Sequence, residues 1–174
     1  MKYNRGFSLV ELMTVLSIIG ILTVMSITGL KFFWQRSQAE VLSSQLMSAI
    51  QFARSEAIVR HTQIILCGSI DQKTCSDHWQ TGYVIKTTDQ VIYHFQNVSQ
   101  NGTLHWRSFP RNKQQLKFSP NGFANSQNGT FWFCALNAEK PDWAIVISKS
   151  GRARMVYPDS HGNVRDDKGI AFVC

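Results

Sequence analysis

The sequence lacks the short motifs that mark the common enzyme classes. It contains no GxSxG or HExxH motif, no phosphate-binding Walker loop and no dinucleotide-binding glycine fingerprint. The tripeptide Asp159-Ser160-His161 has the residue types of a catalytic triad, but adjacent residues in a turn that begins at Pro158 do not reach the geometry of nucleophile, base and orienting acid. We therefore expect a protein that is not an enzyme and that holds no cofactor.

Charged residues are few, at 17% of 174 residues, while 44% are hydrophobic. This balance excludes a disordered tail, a fibrous repeat and a multi-span membrane protein, and it favours one ordinary core. Acidic residues are the scarcer kind, with 11 Asp and Glu against 18 Lys and Arg, a net charge of +7. The excess favours an acidic partner such as nucleic acid or anionic lipid.

One long apolar run stands at the start of the chain. Residues 7–30 carry a single charge, on Glu11. A run of about 20 apolar residues spans a bilayer as a helix, so we predict one transmembrane helix at 7–30. Lys2 and Arg5 precede it, which places the short N-terminus in the cytoplasm and the rest of the protein outside. No small-residue cleavage site follows the run, so the helix is expected to be retained.

The carboxylate of Glu11 is costly at membrane depth unless it reaches the interface or has a partner of opposite charge. The short basic leader at 1–6 and the run Gly6-Phe7-Ser8-Leu9-Val10-Glu11 resemble the processing motif of type IV prepilins and type II secretion pseudopilins. The resemblance implies that a prepilin peptidase cuts between Gly6 and Phe7, that Phe7 is then N-methylated, and that Glu11 pairs with the Phe7 amine of a neighbouring pilin during filament assembly. It also implies residence in the bacterial inner membrane, with the head in the periplasm, and then in the pilus at the cell surface.

Beyond the apolar run, residues 31–60 contain no proline or glycine and are predicted to continue the helix. Apolar residues recur at helical spacing on one face: Leu42, Leu46, Ile50, Ala53 and Ala57. Residues 61–174 change to short apolar runs separated by turn residues, which predicts nine strands, the last at 169–173. The expected fold class is α+β, with a long N-terminal helix packed on an antiparallel sheet or small sandwich, as in a type IV pilin.

Four cysteines lie beyond the predicted crossing, in a space that should be oxidising. Three pairings are possible. We favour Cys67 with Cys75, which closes a loop of turn residues, and Cys134 with Cys174, which ties the last strand into the sheet. Metal binding is the alternative, but the sequence has no CxxC, and Cys67, Cys75 and His78 do not have the spacing of a zinc knuckle.

The positive charge is clustered in sequence. Residues 104–154 contain eight Lys and Arg but only two acidic residues. Trp106 and Phe109 lie near this basic run, and exposed aromatic rings beside positive charge can stack on single-stranded nucleic acid. Aromatic residues that alternate along a strand are, however, more often part of the core. We therefore assign no binding role to these two rings.

The segment 148–154 follows an apolar strand and has the composition of a hairpin tip. Gly151 can supply the positive φ of a tight turn, and Arg152 and Arg154, two positions apart, should project to the same face. Guanidinium groups bind phosphate oxygens in bidentate fashion, and Lys149 adds a point charge. The alternative interpretation is a solvated basic turn without a ligand.

The whole chain resembles the GspH/FimT group of minor pilins and pseudopilins, through its prepilin start, its cysteine-containing strands and the run Gly151-Arg152-Ala153-Arg154. A Gly-Arg-x-Arg element at this place resembles the DNA-binding motif of FimT proteins, which take up DNA during natural transformation. The resemblance implies a minor type IV pilin that binds extracellular double-stranded DNA through its phosphates, without sequence specificity. The alternative is a structural minor pilin or secretion pseudopilin that primes or caps filament assembly. The residues proposed to bind DNA are Arg152, Arg154, Gly151, Lys149, Lys117, Arg111 and Lys113.

Overall fold

The computed structural model describes residues 8–96, 102–124, 128–166 and 168–174, and within them it does not describe the side chains of 24–36 and 94–96. The predicted leader and cleavage residues, Gly6 and Phe7, lie outside the described residues. The chain divides into two compact units, 1–38 and 39–174, and each is described by itself.

An α-helix, α1, spans Leu9–Val59 and covers the described part of the first unit except Ser8. The hydroxyl of Ser8 caps its N-terminus by accepting a hydrogen bond from the Glu11 backbone N–H at 3.2 Å. Glu11 itself is exposed. Among the described residues, no helix combines the length and the apolar character that a membrane crossing requires. The crossing at 7–30 stays a prediction.

The second unit begins with the last turns of α1, whose apolar face is buried as the helical spacing predicted. Leu46, Ile50, Ala53 and Ala57 are fully buried in the main core. Serine, glutamine and arginine residues occupy many of the other positions of these turns, and most of them are exposed or half-buried. The helix therefore contributes one apolar face to a core that the strands complete.

In the described part of this unit, eight strands form two four-stranded antiparallel sheets. The first sheet has the order β3-β2-β1-β5, and the second has the order β4-β6-β7-β8. The strands are β1 Ile64–Gly68, β2 Gly82–Lys86, β3 Val91–Gln96, β4 Gly102–Phe109, β5 Gln115–Phe118, β6 Asn128–Ala135, β7 Trp143–Ile147 and β8 Ala153–Val156. The α+β pilin-like arrangement expected from the sequence is confirmed.

The ninth predicted strand, at 169–173, is wrong. This segment forms only an isolated bridge between Arg165 and Ala171, because the carboxylate of Asp166 and the positive φ of Gly169 fold the chain into a tight turn. After this turn the chain reverses direction, and Phe172 packs with Ala144 of β7 in a second, smaller core. The C-terminal segment therefore covers the outer face of the second sheet, the face directed away from the main core.

Two disulfides join the four cysteines in the pairing that the sequence favoured. Cys67 of β1 bonds to Cys75, eight residues later, and Cys134 of β6 bonds to Cys174, forty residues later. The first bond closes a local loop. The second attaches the C-terminal segment to the second sheet, where Phe172 also stacks on Trp132 at 5.1 Å between ring centroids.

The two disulfides differ in the length of chain that they close, and this difference predicts unequal effects on stability. Replacing Cys134 and Cys174 by Ala should lower the free energy of unfolding by about 4 kcal/mol, and replacing Cys67 and Cys75 by about 2.5 kcal/mol, because the longer loop loses more entropy on closure. Urea denaturation of the full chain, followed by tryptophan fluorescence, measures both. A larger loss for the shorter loop would contradict the entropic account.

Candidate nucleic-acid interface

The basic segment forms the predicted hairpin. Strands β7 and β8 pair so that Val146 faces Arg154 and Ile147 faces Ala153, and β8 lies at the edge of the second sheet. At the tip, the Ser148 N–H donates to the Arg152 carbonyl and the Gly151 N–H donates to the Ser148 carbonyl, both at 2.9 Å. Five residues, 148–152, therefore close the turn with a defined backbone.

Side chains alternate between the two faces of β8, which separates its cation, Arg154, from the core. Ala153 and Met155 pack against the main core, so Arg154, between them, lies on the outer face of the second sheet. Arg152 and Arg154 are both exposed. The Nε of Arg152 lies 3.4 Å from the Ser150 hydroxyl, a local contact across the turn. The tip thus presents two guanidinium groups and the exposed Lys149 within six consecutive residues.

Gly151 is required for close packing as well as for its backbone conformation. Its φ is +76°, and a Cβ built on it would lie 2.0 Å from the carbonyl oxygen of Gly122. That same oxygen accepts a hydrogen bond from the Nε of Arg54, on α1, at 3.0 Å. The Ala124 N–H donates to the Lys149 carbonyl at 3.0 Å. The hairpin tip is therefore held to the helix through the turn at 119–122.

This contact was not predicted from the sequence. Arg54 lies on the polar side of α1 and Gly122 lies in a Pro-Asn-Gly turn, and neither feature points to residue 151. The sequence showed only that Gly122 is a second turn glycine and gave no indication of what it contacts. In the structure its φ is also +76°.

A groove of about 420 Å³ lies beside the hairpin, on the outer face of the second sheet. Arg111 and Lys149, both predicted to bind DNA, line it together with Val146, the strand partner of Arg154. Lys168, on the C-terminal segment, lines it as well. Sequence reasoning missed Lys168 because it lies outside the basic run and is brought to the groove by the turn around Asp166.

A fourth cation of this groove, Arg107, is engaged within the protein. Its guanidinium lies 3.4 Å from the carboxylate of Asp166 and 4.8 Å from the centroid of the Phe172 ring. Arg107 therefore fastens the C-terminal segment to β4. Since Asp166 is the acidic residue among those lining the groove, this ion pair also neutralises the carboxylate that would repel a phosphate.

Five of the seven predicted residues do not line the groove: Gly151, Arg152 and Arg154, at the hairpin tip and on β8, and also Lys113 and Lys117. Lys117 lies on β5 of the first sheet, opposite Ile65, on the face away from the buried Leu116 and Phe118. Lys113 is exposed in the β4–β5 loop, where its backbone accepts a hydrogen bond from the Trp106 indole. The structure thus places Arg111 and Lys149 on one groove, and it places neither Lys113 nor Lys117 on that groove.

The two aromatic residues near the basic run behave differently. Trp106 packs on Phe131 at 4.3 Å between ring centroids, against the main core. Phe109 is 62% exposed, so it does not follow the general preference of such residues for the core. The alternation of β4 explains the difference, because Leu104 and Trp106 face the core and Phe109 falls on the outer face with Arg107.

The hydrogen bonds of the Asp159-Ser160-His161 segment stabilise a turn. The Asp159 carboxylate accepts hydrogen bonds from the backbone N–H groups of Asn163 and His161 and from the Arg165 side chain. These hydrogen bonds, that from Asn163 foremost, lower the pKa of Asp159 to about 2. The carboxylate therefore stabilises its own turn instead of orienting an imidazole. Within the described residues, no group of three His, Cys, Asp or Glu side chains is arranged to hold a metal ion.

Comparison with protein families identifies two matching regions. The model of the family described as type II transport protein GspH matches residues 42–151, and that of the prokaryotic N-terminal methylation motif matches residues 1–27. No curated protein sequence is similar enough to this chain to count as a match.

Two solved structures are similar to the chain, both of the type IV minor pilin FimU of Pseudomonas aeruginosa in different crystal forms. The first, in space group P21, has 22% sequence identity and a TM-score of 0.55, and the match covers 71% of this chain and 91% of that one. The second, in P65, has 22% identity, a TM-score of 0.48 and coverage of 68% and 90%. The likeness to the first structure supports the pilin fold.

The packing of Gly151 predicts that Gly151→Ala will be more destabilising than a change at another glycine of the same conformation. Gly169 has a φ of +77° but no atom within 4 Å of an added Cβ, so Gly169→Ala should cost only the conformational strain, about 1 kcal/mol. Gly151→Ala adds the clash with Gly122 and should cost at least about 2 kcal/mol. Urea unfolding compares the two variants, and equal losses would show that the contact with Gly122 has no energetic weight.

Proposed function

Because the chain belongs to the GspH family, whose members are minor pilins and pseudopilins, we propose that this protein is a minor type IV pilin that binds extracellular double-stranded DNA for uptake in natural transformation. The hairpin tip is the contact surface. Arg152 and Arg154 are the principal contacts, Lys149 and Arg111 extend the surface along the groove, and Gly151 gives the tip its shape.

The observation that carries this proposal is the combination of exposed guanidinium groups with a fixed backbone. Arg152 is exposed in the turn and Arg154 is exposed on the edge strand β8. The turn itself is closed by backbone hydrogen bonds and packed on Gly122. A preorganised cation loses less conformational entropy on binding than one on a mobile loop.

The chemistry of the tip favours phosphate over bases. Guanidinium and ammonium groups bind phosphate oxygens, and such contacts carry no sequence information by themselves. The hydroxyls of Ser148 and Ser150 are 2.9 Å apart and hydrogen-bond each other, so both are already engaged. We therefore expect binding that ignores sequence, with an affinity in the micromolar range or weaker at physiological salt.

In this proposal the protein is processed and assembled as a pilin before it binds DNA at the cell surface. The N-terminal methylation motif implies processing by prepilin peptidase, a membrane-anchored stage and assembly with other pilins. We propose further that Glu11, which is exposed on α1, pairs with the Phe7 amine of a neighbouring subunit. Lys113 and Lys117 are kept as weaker proposed contacts, because DNA is long enough to extend past the groove.

Arg152→Ala combined with Arg154→Ala should lower the affinity for DNA at least tenfold at low salt. The logarithmic dependence of affinity on salt concentration should also become shallower by about 2, since each phosphate contact contributes roughly 0.9 to the slope. Fluorescence anisotropy with two duplexes of unrelated sequence, using the full chain in a non-ionic detergent, measures both quantities. The matched control is Lys73→Ala with Lys86→Ala, which removes two charges near the first sheet and should leave affinity within about twofold.

The same arginine variant separates DNA binding from assembly in cells. Pili should still form, because neither arginine packs in the core, while DNA uptake should fall. Loss of pili together with uptake would favour the structural alternative, in which the hairpin meets another pilin. Unchanged uptake with normal pili would contradict the proposal.

A further inference from the structure

A second groove, of about 500 Å³, opens next to the basic one and has a different character. It is lined by two exposed phenyl rings, Phe109 at 62% and Phe123 at 50% exposure, together with Pro110. Lys149 lies on its rim, and Phe109, Asn128 and Lys149 also line the basic groove. The two grooves therefore adjoin each other.

Both rings stand on ordered backbone. Phe109 ends β4 opposite Asn128, and the loop after it is fixed by the Ser108 hydroxyl, which donates to the Pro110 carbonyl and accepts from the Lys113 N–H. Phe123 donates its N–H to the Asn121 side chain, and its carbonyl accepts from Ser119. These rings are exposed because the backbone holds them at the surface, not because their loops lack structure.

Among the residues that the structure describes, those lining this groove include a cation and no acidic side chain. Flat aromatic faces beside positive charge are the combination that proteins use to bind single-stranded nucleic acid, because every base has a face that stacks and every nucleotide has a phosphate. A duplex hides its base faces within the stack, so double-stranded DNA contacts such rings poorly.

We propose that the groove between Phe109 and Phe123 binds unpaired nucleotides of DNA, with bases stacked on the two rings and an adjacent phosphate on Lys149. The proposal rests on the proposed function in one respect, that DNA approaches this face of the protein. It adds that the site takes a frayed end, an overhang or a single strand in addition to duplex.

The test compares Phe109→Ala combined with Phe123→Ala against wild type, using the full chain in non-ionic detergent. Three probes are titrated: a single-stranded oligothymidylate, a strand of equal length without bases, and a duplex. The variant should bind oligothymidylate at least tenfold more weakly, since base stacking contributes roughly five- to 150-fold for each base. Its affinity for the baseless strand and for duplex should stay within about twofold.

Two control variants make the result specific. Phe109→Leu with Phe123→Leu retains apolar side chains but removes the flat faces, and it should lose oligothymidylate binding to a similar extent. Phe52→Ala with Tyr93→Ala removes another exposed ring pair, with centroids 6.0 Å apart, from a groove whose lining residues carry no charge. This second variant should bind like wild type.

Each contrary outcome is distinct. Unchanged oligothymidylate binding in the Phe109→Ala, Phe123→Ala variant would overturn the stacking site while leaving the duplex proposal intact. Equal losses for the strand with and without bases would also overturn it, because the rings would then act only by supporting the basic surface. Loss of pilin co-assembly with unchanged DNA binding would assign the groove to a protein partner. Absence of all DNA binding in wild type would defeat the proposed function itself.

Discussion

The structure depends on the contact between Gly151, the Gly122 carbonyl and the Arg54 side chain. The Arg54 guanidinium donates to the carbonyl oxygen that lies against the hairpin tip, so the apolar helix face builds the core while the polar side of the same helix fixes the position of the basic turn. A side chain at 151 has no room. The geometry of the tip is therefore a property of the folded head and not of the hairpin alone.

The cations of the head divide by what they contact. Arg107 is engaged by Asp166 and by two aromatic rings, and with the Cys134–Cys174 disulfide it fastens the C-terminal segment. Arg54 donates a hydrogen bond to the Gly122 carbonyl and so fixes the position of the hairpin tip. Arg152 and Lys149 extend from the tip into solvent. A net charge of +7 says nothing of this division, which separates the cations that hold the fold from those that are exposed at the hairpin tip.

Much of the fold follows from local sequence pattern. The helix face at Leu46 and Ile50 and the positions of eight strands were predictable because spacing and turn residues are local signals. The hairpin tip was predictable for the same reason. The split into two sheets was not, since nothing in a single strand specifies its neighbour. The ninth strand failed because the turn around Asp166 extends into the predicted segment at Gly169, which leaves only the isolated bridge at Ala171.

The candidate site was predicted in composition more than in arrangement. Arg111 and Lys149 meet at one groove, but Lys168 joins them only through the fold of the C-terminal segment, and Lys117 belongs to the other sheet. Phe109 carried a usable signal, because strand alternation counted from Trp106 places it on the outer face. Phe123 carried none, since its exposure depends on how the turn at 119–122 sits against the helix.

The central claim is that the hairpin tip and the basic groove form the principal DNA-contacting surface of the head. Mapping backbone amide resonances of the full chain in detergent micelles, with and without a short duplex, tests it directly. The account predicts that the largest shifts occur at 148–154 and at Arg111, with small changes in β1 to β3. The largest shifts in the first sheet or along the exposed side of α1 would contradict it.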